Sequence, residues 1–336
     1  MFLCRWITPL SLVWSLCGVQ AASAQNPAIL QKAIGKPTLS RANSELIQPI
    51  SYAEFADGSL ATLEFQSKEV IVYSPEGEVT WRYGRTGGGP GEFTAPYRIA
   101  VQPDQTLLVL DAGTTRIIRV SKAGKYVEDL RPDLRLIPFN MVALPGGLIA
   151  VSGITKDPRG AGKAIHIFNN RYLHLRSFGE LPKDIPPAEL QVSWVGGLTV
   201  AQDGSLIHTR FWPYEVVRYR VDGTEISRAR VATPVDDPRG AISRTVSGSE
   251  VRYRDARAVT RPRPVFELPD GKFLGGTSKG AEHTLDLIRA DGSVESSMRF
   301  PDAWSSVISF DAARGMLWVL GHSADEPVLL RVPFRF

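Results

Sequence analysis

Cysteine is nearly missing from this chain: there are two in 336 residues, Cys4 and Cys17. Both lie in an N-terminal stretch expected to be removed, so the remaining chain has no thiol. That excludes disulfides, thiolate metal sites and cysteine nucleophiles. Histidine is also scarce, with five residues, which leaves little material for imidazole-based metal centres. No five like charges follow one another, and 39 basic residues are interleaved with 35 acidic ones for a net charge of +4. A nucleic-acid arm or a polybasic membrane patch is therefore not indicated. Sustained 3.6-residue periodicity is lacking too, so helix is expected to be minor.

The first residues, MFLCRWITPLSLVWSLCGVQAASAQ, join one positive charge, Arg5, to an apolar run and then to Ala22-Ser23-Ala24. Small residues at the −3 and −1 positions suit a signal peptidase. Residues 1–24 are expected to be a cleaved signal peptide, residues 25–45 an N-terminal segment, and residues 46–336 the folded domain. The apolar run is broken by Pro9 and is short for a span of roughly 20 residues, so no membrane span is expected after cleavage. The expected location is periplasmic or secreted.

Glycine and proline are plentiful, at 30 and 24 residues, and they punctuate a repeat. Segments of one plan open at Asp57, Asp104, Gly146, Asp203, Asp270 and Arg314, at intervals of 47, 42, 57, 67 and 44 residues. The shorter intervals match a propeller blade of roughly 40–50 residues. Asp-Gly pairs supply the positive φ that tight hairpins need. Alternation in EVIVYS (residues 69–74) and RIIRVS (116–121) gives strands with two distinct faces. One such sheet cannot bury both faces, whereas sheets stacked radially around an axis can. The expected fold is all-β: a six-bladed β-propeller with four-stranded antiparallel blades. ISYAEFA, YRIAVQP, NMVALP, GGLTVAQ, PVFELP and SVISFD are its expected innermost strands. The last repeat ends one strand short, and the region from Ile34 to Leu46 is expected to supply that strand and close the ring.

The stretch GRTGGGPGEFTAPYRIAV (residues 84–101) invites a phosphate-loop reading. Gly84 and Gly89 have the spacing, but Pro90 and Gly91 stand where such a loop needs Lys and Ser or Thr. A strand follows where a helix would be needed. The run is read as the passage between two blades. Its residues resemble an NHL-type repeat: Gly87, Gly89, Gly91, Phe93, Pro96, Ile99 to Val101, Asp104, Val109, Asp111, Arg116-Ile117 and Gly124. The other repeats keep mainly the turn residues. The resemblance implies a bacterial six-bladed propeller of the NHL-like superfamily. It implies no single activity, since such folds host binders, lyases and lactonases.

Aligning the repeats places several polar residues at one mouth of the axis. The candidate ligand-binding set is Tyr97, Arg98, Asn140, Arg210, Trp212, Arg263 and His322, with arginine as a bidentate donor to an acidic group. An alternative is that Arg98 and Arg263 form scaffold ion pairs with Asp111 and Glu64. No metal and no cofactor are expected. NHL-type amidating lyases carry histidine where this chain has Tyr97. The gluconolactonase resemblance would require Glu64, Asn140 and Asp111 to surround one calcium. The function expected is that of an exported, non-catalytic protein that binds a peptide, a protein or an acidic glycan. The alternative is a lactonase- or lyase-type enzyme with a metal at the channel mouth.

Overall fold

The computed structural model describes residues 27–42, 46, 48–181, 196–237, 242–247, 250–255, 259–301, 304–323 and 326–335. The expected signal peptide, with both cysteines, lies outside them. Six antiparallel blades surround one axis. Blade 1 comprises Pro49–Glu54, Leu60–Glu64, Val70–Tyr73 and Val79–Tyr83, from the inner strand outwards. Blade 2 comprises Pro96–Val101, Leu107–Asp111, Arg116–Val120 and Tyr126–Leu130. Blade 3 comprises Ile137–Ala143, Ile149–Ile154, Lys163–Phe168 and His174–Glu180, and blade 4 Leu198–Val200, Leu206–Arg210, Glu215–Tyr219 and Glu225–Arg230.

Blade 5 is the irregular one. Its inner strand is split into Arg261–Pro262 and Phe266–Glu267, and its second strand into Phe273–Gly275 and Thr277–Lys279. Pro262 and Pro264 cannot donate to a ladder, which accounts for the first break. Glu282–Ile288 and Val294–Arg299 complete the blade. The long interval before it contains an inserted hairpin, Ile242–Ser247 paired with Glu250–Asp255. The six-bladed, four-stranded architecture read from the repeats is the one observed.

Burial follows from the stacking. Six apolar clusters sit at the six seams between neighbouring blades. Leu63, Val70 and Val72 of blade 1 pack with Ile99, Val109 and Ile118 of blade 2. Leu60, Ile71 and Tyr73, from the opposite face of blade 1, pack with Trp318 and Leu329 of blade 6. The second and third strands are therefore buried on both faces, while outer strands such as Glu225–Arg230 are largely exposed.

The turns between third and outer strands share one geometry. Gly77, Gly124, Gly223 and Gly292 take positive φ there, and in blade 3 Tyr172 does so at φ 62°. The left-handed conformation costs a non-glycine residue about 1–2 kcal/mol. Tyr172 is fully buried, with its ring 4.6 Å from that of Phe168. Burying some 150–250 Å² of aromatic surface is worth roughly 4–6 kcal/mol. Burial wins, and the turn keeps its shape without glycine.

Blade 6 contains Trp304–Asp311, Met316–Ser323 and Glu326–Pro333. Leu39–Ala42 pairs antiparallel with Glu326–Pro333, Leu39 opposite Arg331 and Ala42 opposite Val328. Ile34 bridges Phe334. Just before it, the short helix Ala28–Ala33 buries Leu30 among Leu317, Val332 and Phe334. Deleting residues 30–46 should thus lower the melting temperature markedly, because the strand Glu326–Pro333 becomes an open edge. Leu30→Ala alone is expected to cost about 2–5 kcal/mol in chemical unfolding. A truncated chain that melts with the full-length one would place closure elsewhere.

Candidate functional site: the axial cavity and its arginine mouth

Four of the six inner strands share a bulge near their first residues. The register shifts between Pro49 and Ser51, Pro96 and Arg98, Pro138 and Asn140, and Trp304 and Ser306. An extra residue bends the strand and re-aims the side chains around it. Ser51, Arg98, Asn140 and Ser306 occupy equivalent positions after the bulge, and all line the axial cavity. That cavity measures about 600 Å³ and is bounded by inner strands of all six blades. Arg263, from blade 5, also lines it at the strand-start end. Blades 2 and 5 are three apart in a ring of six, so Arg98 and Arg263 face the axis from opposite walls.

Neither arginine is held by a carboxylate among the described residues. Arg98 Nη1 donates to the carbonyls of Tyr97 at 2.7 Å and Ile50 at 3.4 Å. Its guanidinium carbon lies 3.9 Å from the centre of the Tyr97 ring, a cation–π contact. Arg263 Nη2 contacts His283 Nδ1 at 3.2 Å, and its Nε is enclosed without a partner. Burial lowers the pKa of both guanidiniums, although arginine keeps its charge in such settings. Burial and the Arg263 charge lower the pKa of His283, which leaves a neutral ring able to accept at Nδ1.

The scaffold ion pairs considered above are not what the structure shows. Asp111 accepts the backbone N–H groups of Thr94 (2.9 Å), Ala95 (2.8 Å) and Gly113 (3.1 Å). Glu64 accepts that of Gln48 at 3.0 Å. Both carboxylates thus fix the loop entering their own blade and have no need of an arginine. The same geometry separates the trio Glu64, Asn140 and Asp111, of which Asn140 alone lines the cavity. Among the described residues no group of three His, Cys, Asp or Glu is placed to hold a metal ion.

The remaining candidates disperse. Tyr97 reaches the site as the platform under Arg98. Arg210 pairs with Glu215 at 3.0 Å, a carboxylate that also takes Arg228 at 2.7 Å. Trp212 lines a separate surface pocket of about 370 Å³ with Pro213, Tyr214 and Arg230. His322 is exposed and lies opposite Pro327 in the ladder of blade 6, off the cavity wall. A strand-end position fixes which face of the ring a residue sits on, but not its distance from the axis. Arg210, Trp212 and His322 therefore share the face of the mouth without lining the cavity.

The glycine run is a joint. Arg116, almost fully buried, donates to Asp129 at 2.6 Å and to the carbonyls of Gly89 and Glu92 at 3.0 and 2.6 Å. Glu92 accepts the Gly89 N–H at 2.9 Å and pairs with Arg85 at 2.6 Å. An amide that a phosphate would need is thus already taken by the loop's own carboxylate. In blade 4 the mouth position is Gly196-Gly197. A Cβ on Gly197 would lie 2.5 Å from Pro264 of blade 5, so this approach of two blades requires glycine and leaves that sector without a side chain.

Glu54, Ser309 and Tyr52 also line the cavity, and none was singled out from sequence. An acidic residue inside the apolar alternation of ISYAEFA was the available signal. Glu54 Oε2 accepts from Ser309 Oγ at 2.7 Å, across the seam between blades 1 and 6, and Oε1 is enclosed without a partner. Burial raises its pKa to about 7, with the Ser309 hydrogen bond opposing the shift and Asp311 adding to it. Burial, reinforced by Glu64 and opposed by Arg263, also raises the pKa of Tyr52.

The profile of a family described as a 6-bladed beta-propeller matches residues 38–149. No curated protein sequence matches the chain. Among solved structures, a member of the DUF4221 family from Bacteroides vulgatus is 11% identical, with a TM-score of 0.59 over 90% of this chain and 97% of its own. A gluconolactonase from Xanthomonas campestris is 16% identical, with a TM-score of 0.55 over 95% and 100%. Virginiamycin B lyase from Staphylococcus aureus is 13% identical, with a TM-score of 0.52 over 87% and 97%. At these identities the likeness is one of fold.

The raised pKa of Glu54 has a thermodynamic consequence. The folded state keeps a proton that the unfolded chain releases near pH 4.5, so the stability tied to it is full below that pH. It is lost as pH rises to about 7, by up to about 3 kcal/mol. Buried His166 and His208, with pKa values lowered to about 4 and about 3, destabilise the fold in the other direction as pH falls below about 6.5. The comparison must therefore be between Glu54→Gln and the parent. Urea unfolding from pH 4 to 8 should show the variant gaining relative stability across the window from 4.5 to 7. A constant difference would mean that Glu54 titrates normally.

Proposed function

We propose that this is an exported, non-catalytic binding protein that seats an anionic group of its partner between Arg98 and Arg263. The partner class is a peptide, a protein or an acidic glycan, and the N-terminal signal-like sequence supports a periplasmic or secreted location. The observation that carries the reading is the pair of cavity-lining arginines with no carboxylate partner among the described residues. A buried cation without a counter-charge is costly to a fold, and an incoming anion removes that cost. Asn140 adds an amide at the same level, and Tyr97 fixes the plane of Arg98. Binding needs no metal and no nucleophile. The enzymatic alternative, a lactonase or lyase with a metal at the mouth, has no supporting ligand set among the described residues.

Arg98→Gln with Arg263→Gln tests the reading on a panel of acidic oligosaccharides and acidic peptides. Each lost hydrogen bond to a charged group is worth about 1.5–3 kcal/mol, so the tightest binder should weaken about a hundredfold or more. The melting temperature should hold, because no carboxylate is orphaned. Collapse of the melting temperature with unchanged binding would return the two arginines to the scaffold.

A further inference from the structure

The axial cavity differs from end to end. At the strand starts it carries Arg98, Arg263 and Asn140, and at the strand ends Glu54 and Ser309. Between them the wall carries apolar Ile99, Met141, Val142, Leu198 and Val307, with Tyr52 and Thr199 among them. Ser51, level with Arg98, precedes Glu54 by three residues, which spans about 10 Å at the rise of an extended strand. About 600 Å³ lies within the usual range of small-molecule sites.

We infer that the cavity admits a small organic anion lengthwise, its carboxylate between Arg98 and Arg263, its apolar body along the wall, and an uncharged hydroxyl or amide against the Glu54–Ser309 pair. This rests on the arginine-mouth reading and adds the class of molecule that fills the axis. The warrant is the sequence of chemistries along the wall. Glu54 is tied to Ser309 by one oxygen, while the other, enclosed by its surroundings, has no donor among the described residues. A hydroxyl or amide meets either protonation state of that group, whereas a second carboxylate meets it with like charge. Glu54 is thus the residue that selects against dianions. The charged groups acting on it are Asp311 of the same inner strand as Ser309, Arg331 of the third strand of blade 6, and Arg314 of the intervening turn. Arg314 is paired with Asp311 at 2.6 Å, and Arg331 donates to the Pro75 carbonyl at 3.4 Å with its guanidinium 5.5 Å from the Trp318 ring. Burial sets the carboxyl near neutrality, and the selection should sharpen as pH rises through that range.

The test uses three probes of similar length, 4-hydroxycinnamate, cinnamate and 4-carboxycinnamate, titrated calorimetrically into the protein lacking residues 1–24. At pH 8 the hydroxy acid is expected to bind about tenfold or more tightly than the dicarboxylate, with cinnamate between them. At pH 5.5 the gap should narrow. Glu54→Gln should bring the hydroxy acid and the dicarboxylate within about threefold of each other and remove the pH dependence, while hydroxy-acid binding persists. Equal affinities in the parent, or an unchanged gap in Glu54→Gln, would overturn the far-end assignment and leave the arginine mouth standing. If the acids bind as well to the Arg98→Gln, Arg263→Gln variant, both readings fail. No binding of any acid at millimolar concentration overturns the cavity assignment.

Discussion

Apolar contact between neighbouring blades is the interaction on which everything else depends, because each sheet has two hydrophobic faces and can bury them only against two other sheets. Six seams, each with its own cluster, complete the circle. The closure is cooperative: the faces of blade 1 are satisfied only if blade 6 is in place, and blade 6 is a four-stranded sheet only with Leu39–Ala42. The axis is a by-product of that arrangement. Inner strands held apart by their seams do not pair with one another, and the space between them is the cavity.

The two kinds of arginine in the molecule separate scaffold from site. Arg116 is enclosed, and its donors meet Asp129 and two carbonyls of the glycine loop. It locks the joint between blades 1 and 2 by tying the glycine loop to the outer strand of blade 2. Arg98 and Arg263 also sit in desolvated surroundings, but they meet carbonyls, a ring face and an imidazole in place of carboxylates. The first has a carboxylate partner, and the other two have none among the described residues. Such breaches of local pairing concentrate where a protein meets its ligand.

Much of the architecture could be read in the sequence because turn chemistry and strand alternation are local. Asp57, Asp104, Asp203 and Asp270 each accept the N–H two residues on, and those turns mark the repeats. The six inner strands fell where the repeats placed them. The site was only partly legible. Bulges at Ile50, Tyr97, Phe139 and Ser305 decide which side chains reach the axis, and a bulge leaves little trace in sequence. Arg98, Asn140 and Arg263, grouped from the repeats, all line the cavity, whereas Arg210, Trp212 and His322 share their face but not its wall. Glu54 and Ser309 were missed because they meet across the closing seam, 255 residues apart in the chain.

The central claim is that the two mouth arginines are held open for an anion. A crystal structure of the ring with 4-hydroxycinnamate bound tests it most directly. The expected result is the ligand carboxylate within hydrogen-bonding distance of both Arg98 and Arg263, with the ring along the apolar wall. Guanidiniums folded onto protein carboxylates, or a ligand seated away from the axis, would contradict it.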